Sequence, residues 1–467
     1  MNNKAAQSFH FEFEGIKQYF AELHSFPIFL FVLPFILILA SIAIFPLAAP
    51  HFWEKNKNKA IVSIGLGIPA AIFFLLHDWT ILFHTTLDYL AFIALLGALF
   101  TISGGIYIRG SFVGLPWVNT AFLLIGALLS NAIGTTGASM LLIRPLLRAN
   151  QNRHYKSHIV IFFIFIVSNC SGLLTPLGDP PLFLGFLRGV SFGWTFQLWR
   201  EWGFVLAILL ALFYFIDSRE VKKENAEFHR AHKKTDPHIL SERFGIEGKR
   251  NFIFLAVVVG VIMFSGYVIY PMKGNFVLGE PCGSVFSKAF QVFAFIFLAF
   301  CSFKLTKTTV HEKNHFSFSP IEEVAVLFMG IFLTMIPALL ILETQGSKLG
   351  VSEPWQYYWM SGVLSSFLDN APTYLTFTSL AKGALQISTE GLSMLMHHAV
   401  GMKYLAAISC GSVMMGANSY IGNGPNFMVK AIAEHSKVKM PSFFGYMIWS
   451  CSVLIPVFIL VTFIFFK

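Results

Sequence analysis

Two acidic residues lie within long apolar stretches and are the side chains best able to do chemistry. Asp179 and Asp369 have no Lys or Arg within several positions on either side. A carboxylate in such a setting is costly and is functional by default. Burial disfavours the charged form of a carboxyl group, so we expect each acid to exchange a proton for a transiently bound Na⁺. The alternative is that either acid only caps a helix N-terminus, Asp179 in particular because Pro180 follows it.

Four polar breaks interrupt the apolar sequence, and the two acids belong to two of them. The breaks cover 130–137, 168–181, 369–373 and 417–425, and each combines Gly or Pro with Asn, Ser, Thr or Asp. Irregular backbone at membrane depth survives only where protein or water covers it. Unwound helices of this kind offer carbonyl groups to a cation and helix N-termini to an anion. The alternative is that the breaks are ordinary loops at the water interface. We expect an ion and substrate site built from Ser130, Asn131, Thr135, Thr136, Asn169, Thr175, Asp179, Asp369, Asn370, Thr373, Asn418, Ser419 and Asn423.

The composition places almost the whole chain in lipid. Of 467 residues, 55% are apolar and 12% are charged, about half the charged share of soluble proteins, which excludes a water-soluble enzyme. The net charge of +9 comes from basic residues in short loops between apolar segments, so we expect a lipid bilayer and no nucleic acid as partner. The five cysteines form no CxxC pair and no HExxH motif occurs, so neither a disulfide framework nor a zinc site is expected. We expect no cofactor apart from transported Na⁺ and H⁺.

The apolar segments predict an all-α polytopic membrane protein. Two of them, 112–149 and 357–382, have polar residues midway and are expected to form re-entrant hairpins that enter and leave on the same side. The others meet or approach the length of a bilayer span, which is about 20 residues. These predicted spans are 27–48, 60–76, 86–108, 158–187, 202–217, 252–271, 286–302, 321–342, 403–433 and 443–467.

The distribution of the 33 Lys and Arg residues predicts the orientation of these spans. Most of them fall on one side, which is therefore assigned to the cytoplasm of a plasma membrane, the inner membrane in a bacterium, with both termini outside. We divide the chain into an N-terminal tail, a first transmembrane repeat, a basic cytoplasmic linker and a second repeat, at 1–26, 27–217, 218–251 and 252–467.

The two halves repeat each other at their polar breaks. Leu-Ser-Asn-Ala at 129–132 matches Leu-Asp-Asn-Ala at 368–371, and Leu-Gly-Asp-Pro-Pro at 177–181 matches Ile-Gly-Asn-Gly-Pro at 421–425. Each half contains five spans and one hairpin. Because five is odd, the second half must be inserted upside down, which is the inverted repeat of many secondary transporters.

Other acids are weaker candidates for the site. Asp78, with the neighbouring His77 and His84, and Asp88 precede or begin the predicted span 86–108. We expect them to lie in a short, solvated outer loop.

The residues at the breaks resemble those of the ion transporter superfamily, which includes NhaD-type sodium/proton antiporters and citrate carriers. Thr-Pro-Leu-Gly-Asp at 175–179 is similar to the NhaD-type Pro-Ile-Gly-Asp, and Leu-Asp-Asn-Ala-Pro at 368–372 resembles the Asp-Asn-x-Pro hairpin tip of the same antiporters. The stretch from Ser130 to Thr136 is similar to the Ser-Asn-Thr tips of the dicarboxylate branch. The resemblance implies a scaffold region, a mobile transport region, elevator-type movement and homodimers.

Two functions agree with these observations. The first is a secondary active transporter that exchanges Na⁺ for H⁺ at Asp179 and Asp369. The second is a Na⁺- or H⁺-coupled carrier of citrate or a similar carboxylate, whose anion would rest on helix N-termini and hydroxyl groups. NhaD-type proteins carry Asp-Asn where this chain has Ser130-Asn131, which counts against exchange, whereas the break at 422–425 lacks the Ser/Thr-rich sequence of carboxylate carriers. A channel needs no inverted pair of broken helices, and an enzyme needs a nucleophile–base pair, which the sequence does not offer.

Overall fold

The computed structural model describes residues 25–110, 113–231, 245–270, 276–277, 280–314, 316–387 and 391–467. Most of the predicted tail and residues 232–244 of the predicted linker lie outside these ranges. The elements of the first part are α1 Ser25–Ala48, α2 Pro50–Trp53, α3 Asn56–His77, α4 Trp79–Gly104, β1 Tyr107–Arg109, α5 Pro116–Ala149, α6 Ser157–Phe165, α7 Pro180–Leu187 and α8 Trp199–Ala231. Those of the second part are β2 Gly245–Glu247, α9 Arg250–Phe264, β3 Phe276–Val277, β4 Glu280–Pro281, α10 Cys282–Leu305, α11 Thr308–Lys313, α12 Ser319–Gln345, α13 Pro354–Ser365, α14 Asn370–Ala384, α15 Ser393–His397, α16 Ala399–Met414, α17 Gly424–His435 and α18 Phe443–Val461.

Within the described ranges, eight helical segments are long and apolar enough to cross a membrane. The protein is therefore an all-α polytopic membrane protein, as the sequence predicted. The eight segments are Asn56–His77, Trp79–Gly104, Pro116–Ala149, Arg250–Ile269, Gly283–Leu305, Ser319–Leu349, Ala399–Asn418 and Phe443–Phe466.

Helix α5 is long enough to cross a membrane, since its 34 residues would measure about 50 Å if straight, but it forms a hairpin instead. The backbone reverses at Gly134, whose φ of 77° lies in the left-handed region that favours glycine. The two ends meet, because Asn119 donates to Oδ1 of Asn150 at 3.0 Å and Asn150 donates back to Oδ1 of Asn119 at 2.7 Å. The predicted polar tip of this segment therefore lies at the turn, and its two ends lie side by side.

The base of this hairpin is fixed by a buried carboxylate on α8. Asp217, which has no solvent exposure, accepts hydrogen bonds from Asn119 and Arg153, each at 2.9 Å. His158, at the start of α6, lies 2.9 Å from the same carboxylate, and Arg153 also binds Glu224 at 2.6 Å. These contacts join the hairpin to α6 and α8.

The second hairpin is formed by α13 and α14, which pack against each other. Its tip lies between Ser365 and Asn370, and the hydroxyl of Ser365 donates to Oδ1 of Asn370 at 2.6 Å. The predicted spans 158–187 and 403–433 are each interrupted. The first is α6, a π-helical turn Ile166–Cys170 and α7, and the second is α16, a 3₁₀ turn Met415–Asn418 and α17.

Asp78 and Asp88 differ from their predicted setting in a solvated loop. Helix α4 begins at Trp79, seven residues before the predicted span, and therefore includes Asp88. Asp88 is 7% exposed and lies 2.8 Å from Nζ of Lys288 on α10. Asp78 is also buried and caps α4 by accepting from the Thr80 amide at 2.9 Å. The prediction was wrong because a paired or capping carboxylate tolerates burial.

A short antiparallel pair of strands connects the segment after α4 with the segment before α9. Tyr107 pairs with Glu247, and Arg109 pairs with Gly245. Lys313 donates to both carboxylate oxygens of Glu247 at 2.9 Å, and this contact lowers the pKa of Glu247. The carboxylate is therefore charged at neutral pH and keeps its ion pair there.

Candidate functional site

The side chain of Asp179 is the point at which the four polar breaks meet. Asp179 is 1% exposed. Its Oδ1 accepts hydrogen bonds from the hydroxyl of Thr135 at 2.8 Å and from the amide of Asn423 at 3.3 Å. Its Oδ2 accepts from the amide of Asn370 at 2.6 Å. Each of the other three breaks thus contributes one donor to the carboxylate.

Each of these side chains stands at the start of a helical segment. Thr135 follows the kink at Gly134, Asn370 is the first residue of α14, and Asp179 and Asn423 directly precede α7 and α17. A helix N-terminus carries a partial positive charge from its aligned peptide dipoles. Four such termini around one point favour a negative charge there, which here is the Asp179 carboxylate.

The two acids differ in what their side chains bind. Asp369 caps α14, since its Oδ1 accepts from the Ala371 amide at 3.1 Å, and it is half-buried. Asp179 occupies the N-cap position of α7 in extended conformation, but its side chain makes no capping hydrogen bond. The capping alternative therefore applies to Asp369, whereas Asp179 faces side chains from other elements.

A second set of buried amides supports these donors. Asn423 also donates to Oδ1 of Asn169 at 3.2 Å. Asn169 donates to Oδ1 of Asn426 at 2.7 Å, and Asn426 donates to the carbonyls of Gly416 and Ser419 at 2.8 and 2.9 Å. The network therefore connects the carboxylate with the backbone of the fourth break.

Close approaches between glycines shape the two unwound stretches. A Cβ atom on Gly178 would lie 2.3 Å from the carbonyl oxygen of Gly172, and one on Gly422 would lie 2.5 Å from that of Gly416. Both pairs are six residues apart, and each ends directly before the residue at the helix start. No larger residue fits at these positions without moving the backbone.

The predicted residues of the first hairpin tip mainly bind the first unwound stretch. Ser130 donates to the hydroxyl of Ser171 at 2.8 Å. Oδ1 of Asn131 accepts from the Leu174 amide at 2.9 Å, and Thr175 donates to the Asn131 carbonyl at 2.5 Å. Asn131 is half-buried, as is the predicted site residue Thr136.

The predicted residues of the second half make a comparable set of contacts. Asn418 donates to the hydroxyl of Ser366 at 2.9 Å, and Ser419 donates to the Ser366 carbonyl. Thr373 donates to the Asp369 carbonyl at 3.1 Å. Asn418 and Ser419 therefore hold the tip of the second hairpin against the fourth break, whereas the contact of Thr373 stays within that tip.

The donor set around Asp179 suits a hard, oxygen-binding cation. The Asp179 carboxylate and the Thr135 hydroxyl offer oxygens of the kind that hard cations prefer, whereas Asn370 and Asn423 present N–H groups to the carboxylate. Among the described residues, no group of three or more His, Cys, Asp or Glu could hold a metal ion. Any cation here would be held by one carboxylate with neutral oxygen groups.

Two residues of this network were missing from the sequence prediction. Asn426 directly follows the predicted break 417–425, so extending that break by one residue would have included it. Ser365, whose hydroxyl binds Asn370 and the Ser412 carbonyl, both at 2.6 Å, lies inside α13. No local pattern marks it, because its contact depends on how the hairpin folds.

Comparison with known proteins gives one family. The family model CitMHS_2, described as "putative citrate transport", matches residues 24–466, which is nearly the whole chain. A search of curated proteins finds no match.

Proposed function

The chain belongs to the CitMHS_2 family and is a membrane transporter of a citrate-related kind, and on this premise we propose that it carries citrate or a similar carboxylate together with Na⁺ or H⁺. Asp179 is the proposed coupling group. One observation carries this assignment: a buried carboxylate receives one hydrogen bond from each of the other three polar breaks. An intramembrane acid placed in this way is expected to act in an ion pathway.

The coupling follows from the cost of a buried charge. While the substrate anion is bound, the negative charge of Asp179 is balanced either by a proton or by a cation bound to its oxygens. With the acid neutralised, the four helix N-termini can accept the negative charge of a substrate carboxylate. Asn131 and Thr136 are half-buried at the first hairpin tip, which makes them the proposed contacts for that carboxylate.

We further propose that the two halves are an inverted repeat and that the site opens alternately to the two sides. The two glycine contacts support the repeat, because Gly172 and Gly178 correspond to Gly416 and Gly422 at one constant spacing along the chain. Asp179 and Asn423, at the same spacing, have nearly equal backbone angles, with φ of −146° and −152° and ψ of 147° and 141°.

Citrate uptake into proteoliposomes, with the Na⁺ and H⁺ gradients varied separately, tests the proposed coupling. We expect Asp179→Asn to remove the dependence of uptake on the cation, because an amide cannot carry the charge that the cation balances. Asp78→Asn is the matched control, since Asp78 is a buried acid that caps α4 and an Asn caps equally well. Cation-dependent uptake that survives in Asp179→Asn would exclude Asp179 as the coupling group.

Exchange of Na⁺ for H⁺ remains a second candidate, favoured by two observations. Asp369 offers a second carboxylate at a hairpin tip, and the four breaks contain no Lys or Arg that could bind an anion. Exchange predicts that a Na⁺ gradient changes the internal pH of everted vesicles without citrate, and that Asp369→Asn abolishes this change. The variant keeps the cap of α14, so a loss would not reflect unfolding. The absence of any pH change in the unaltered protein would exclude exchange.

A further inference from the structure

The two residues that face each other across the site share an unusual helix start. An N-cap side chain normally accepts a hydrogen bond from the amide of the second or third helical residue. Asp179 is followed by Pro180 and Pro181, and Asn423 is followed by Gly424 and Pro425. The second helical residue is therefore proline in both α7 and α17, and proline has no amide hydrogen to donate.

The third amide does not serve the side chains either. In α7 the Leu182 amide donates to the carbonyl of Asp179 at 3.1 Å, and in α17 the Asn426 amide donates to the carbonyl of Asn423 at 3.1 Å. Neither the Asp179 nor the Asn423 side chain makes a capping hydrogen bond. Each is therefore available for partners outside its own helix.

Two other acids in the same chain show what happens when the second amide is present. Asp78 accepts from the Thr80 amide at 2.9 Å, and Asp369 accepts from the Ala371 amide at 3.1 Å. In both cases the donor is the second residue of the helix. This amide hydrogen is therefore present and bound at Asp78 and Asp369, and it is absent at Asp179.

We propose that Pro181 and Pro425 are positioning residues of the ion site: by withholding the capping donor, they direct the side chains of Asp179 and Asn423 toward each other. This inference rests on the proposed coupling role of Asp179. Pro180, at the first helical position, has no such role, because an N-cap side chain does not use the first amide. The chain therefore contains a matched control beside the residue of interest.

The test compares Pro181→Ala with Pro180→Ala. Each variant removes one proline ring from the same helix start, but only Pro181→Ala adds an amide that competes for the Asp179 carboxylate. The free energy of an N-cap hydrogen bond corresponds to about a 2- to 30-fold change in an equilibrium constant. We expect Pro181→Ala to raise the half-saturating concentration of the coupling cation in citrate uptake by about that factor. Pro180→Ala should stay within about twofold of the unaltered protein.

A second measurement does not depend on transport. If the new amide caps α7, Pro181→Ala should unfold at a higher temperature than Pro180→Ala in detergent micelles, and adding Asp179→Ala to each variant should remove that difference. Equal cation responses and equal unfolding temperatures in the two proline variants would overturn the inference while leaving the coupling role of Asp179 in place. If the unaltered protein shows no cation dependence, the proposed function fails, and the order of unfolding temperatures still decides whether Pro181 withholds a cap.

Discussion

At the scale of single residues, Asn426 controls the orientation of Asn423, to which it is connected through Asn169. Its Oδ1 accepts from Asn169, and its amide donates to the carbonyls of Gly416 and Ser419. A buried amide with these bonds cannot rotate without breaking them. Asn169 is thereby fixed, and so is the Asn423 amide that reaches Asp179.

We expect Asn426→Ala to weaken binding of the coupling cation by about tenfold, as loss of supporting contacts does at metal sites. Asn314→Ala is the control, because Asn314 also donates to two backbone carbonyls, those of Gly104 and Ile106, both at 2.8 Å. The cation dependence of citrate uptake is the measurement. Equal shifts in the two variants would assign Asn426 a purely structural role.

The sequence identified the acids and the breaks, but it could not separate the roles of Asp179 and Asp369. Hydropathy marks both acids alike, and the distinguishing signal is the residue two positions later, Pro181 in one case and Ala371 in the other. That signal is readable from the sequence once the helix start is known. Ser365 has no comparable signal, since its partner Asn370 reaches it only when α13 and α14 have formed.

At the scale of elements, the first hairpin depends on its base as well as on its tip. We expect Asp217→Ala to destabilise the protein by about 3 kcal/mol or more, because it leaves Arg153 with one of its two acidic partners and removes one of the two buried acceptors of the Asn119 amide. The thermal unfolding midpoint in detergent measures this loss.

The control for that change is Glu434→Gln, which breaks a more exposed pair with Lys430 one turn away on α17. Such a pair contributes less than about 0.5 kcal/mol. A similar loss of stability in the two variants would contradict the structural role assigned to the buried cluster.

Element boundaries followed from the sequence wherever apolar residues and glycines define them. The predicted hairpins coincide with α5 and with α13–α14, and the start of α4 was misplaced because Asp78 and Asp88 suggested water. Hydropathy cannot reveal that Lys288, some 200 positions further along the chain, lies beside Asp88. The start of α4 was therefore misplaced because the ion pair between Asp88 and Lys288 cannot be read from the sequence.

At the scale of the whole molecule, the predicted orientation can be tested with two exposed positions at opposite ends of spans. Lys57 is the second residue of α3, and Ser347 follows the end of α12. In a protein without its native cysteines, we expect Lys57→Cys to react with a membrane-impermeant maleimide only from the cytoplasm and Ser347→Cys only from outside. Labelling of both from one face would contradict the predicted topology, and reversed labelling would contradict its orientation.

The four helix starts around Asp179 also affect how much of the ion gradient is lost without substrate transport. In the proposed cycle the protein returns without substrate, and the Asp179 carboxylate then lies inside the membrane with no bound cation to balance its charge. Peptide dipoles are fixed in the structure and cannot dissociate, so they lower the free energy of that charge throughout the return step. The empty transporter could then complete its cycle without a bound cation. A cation that entered with the substrate would not be carried back, and little of the ion gradient would be lost.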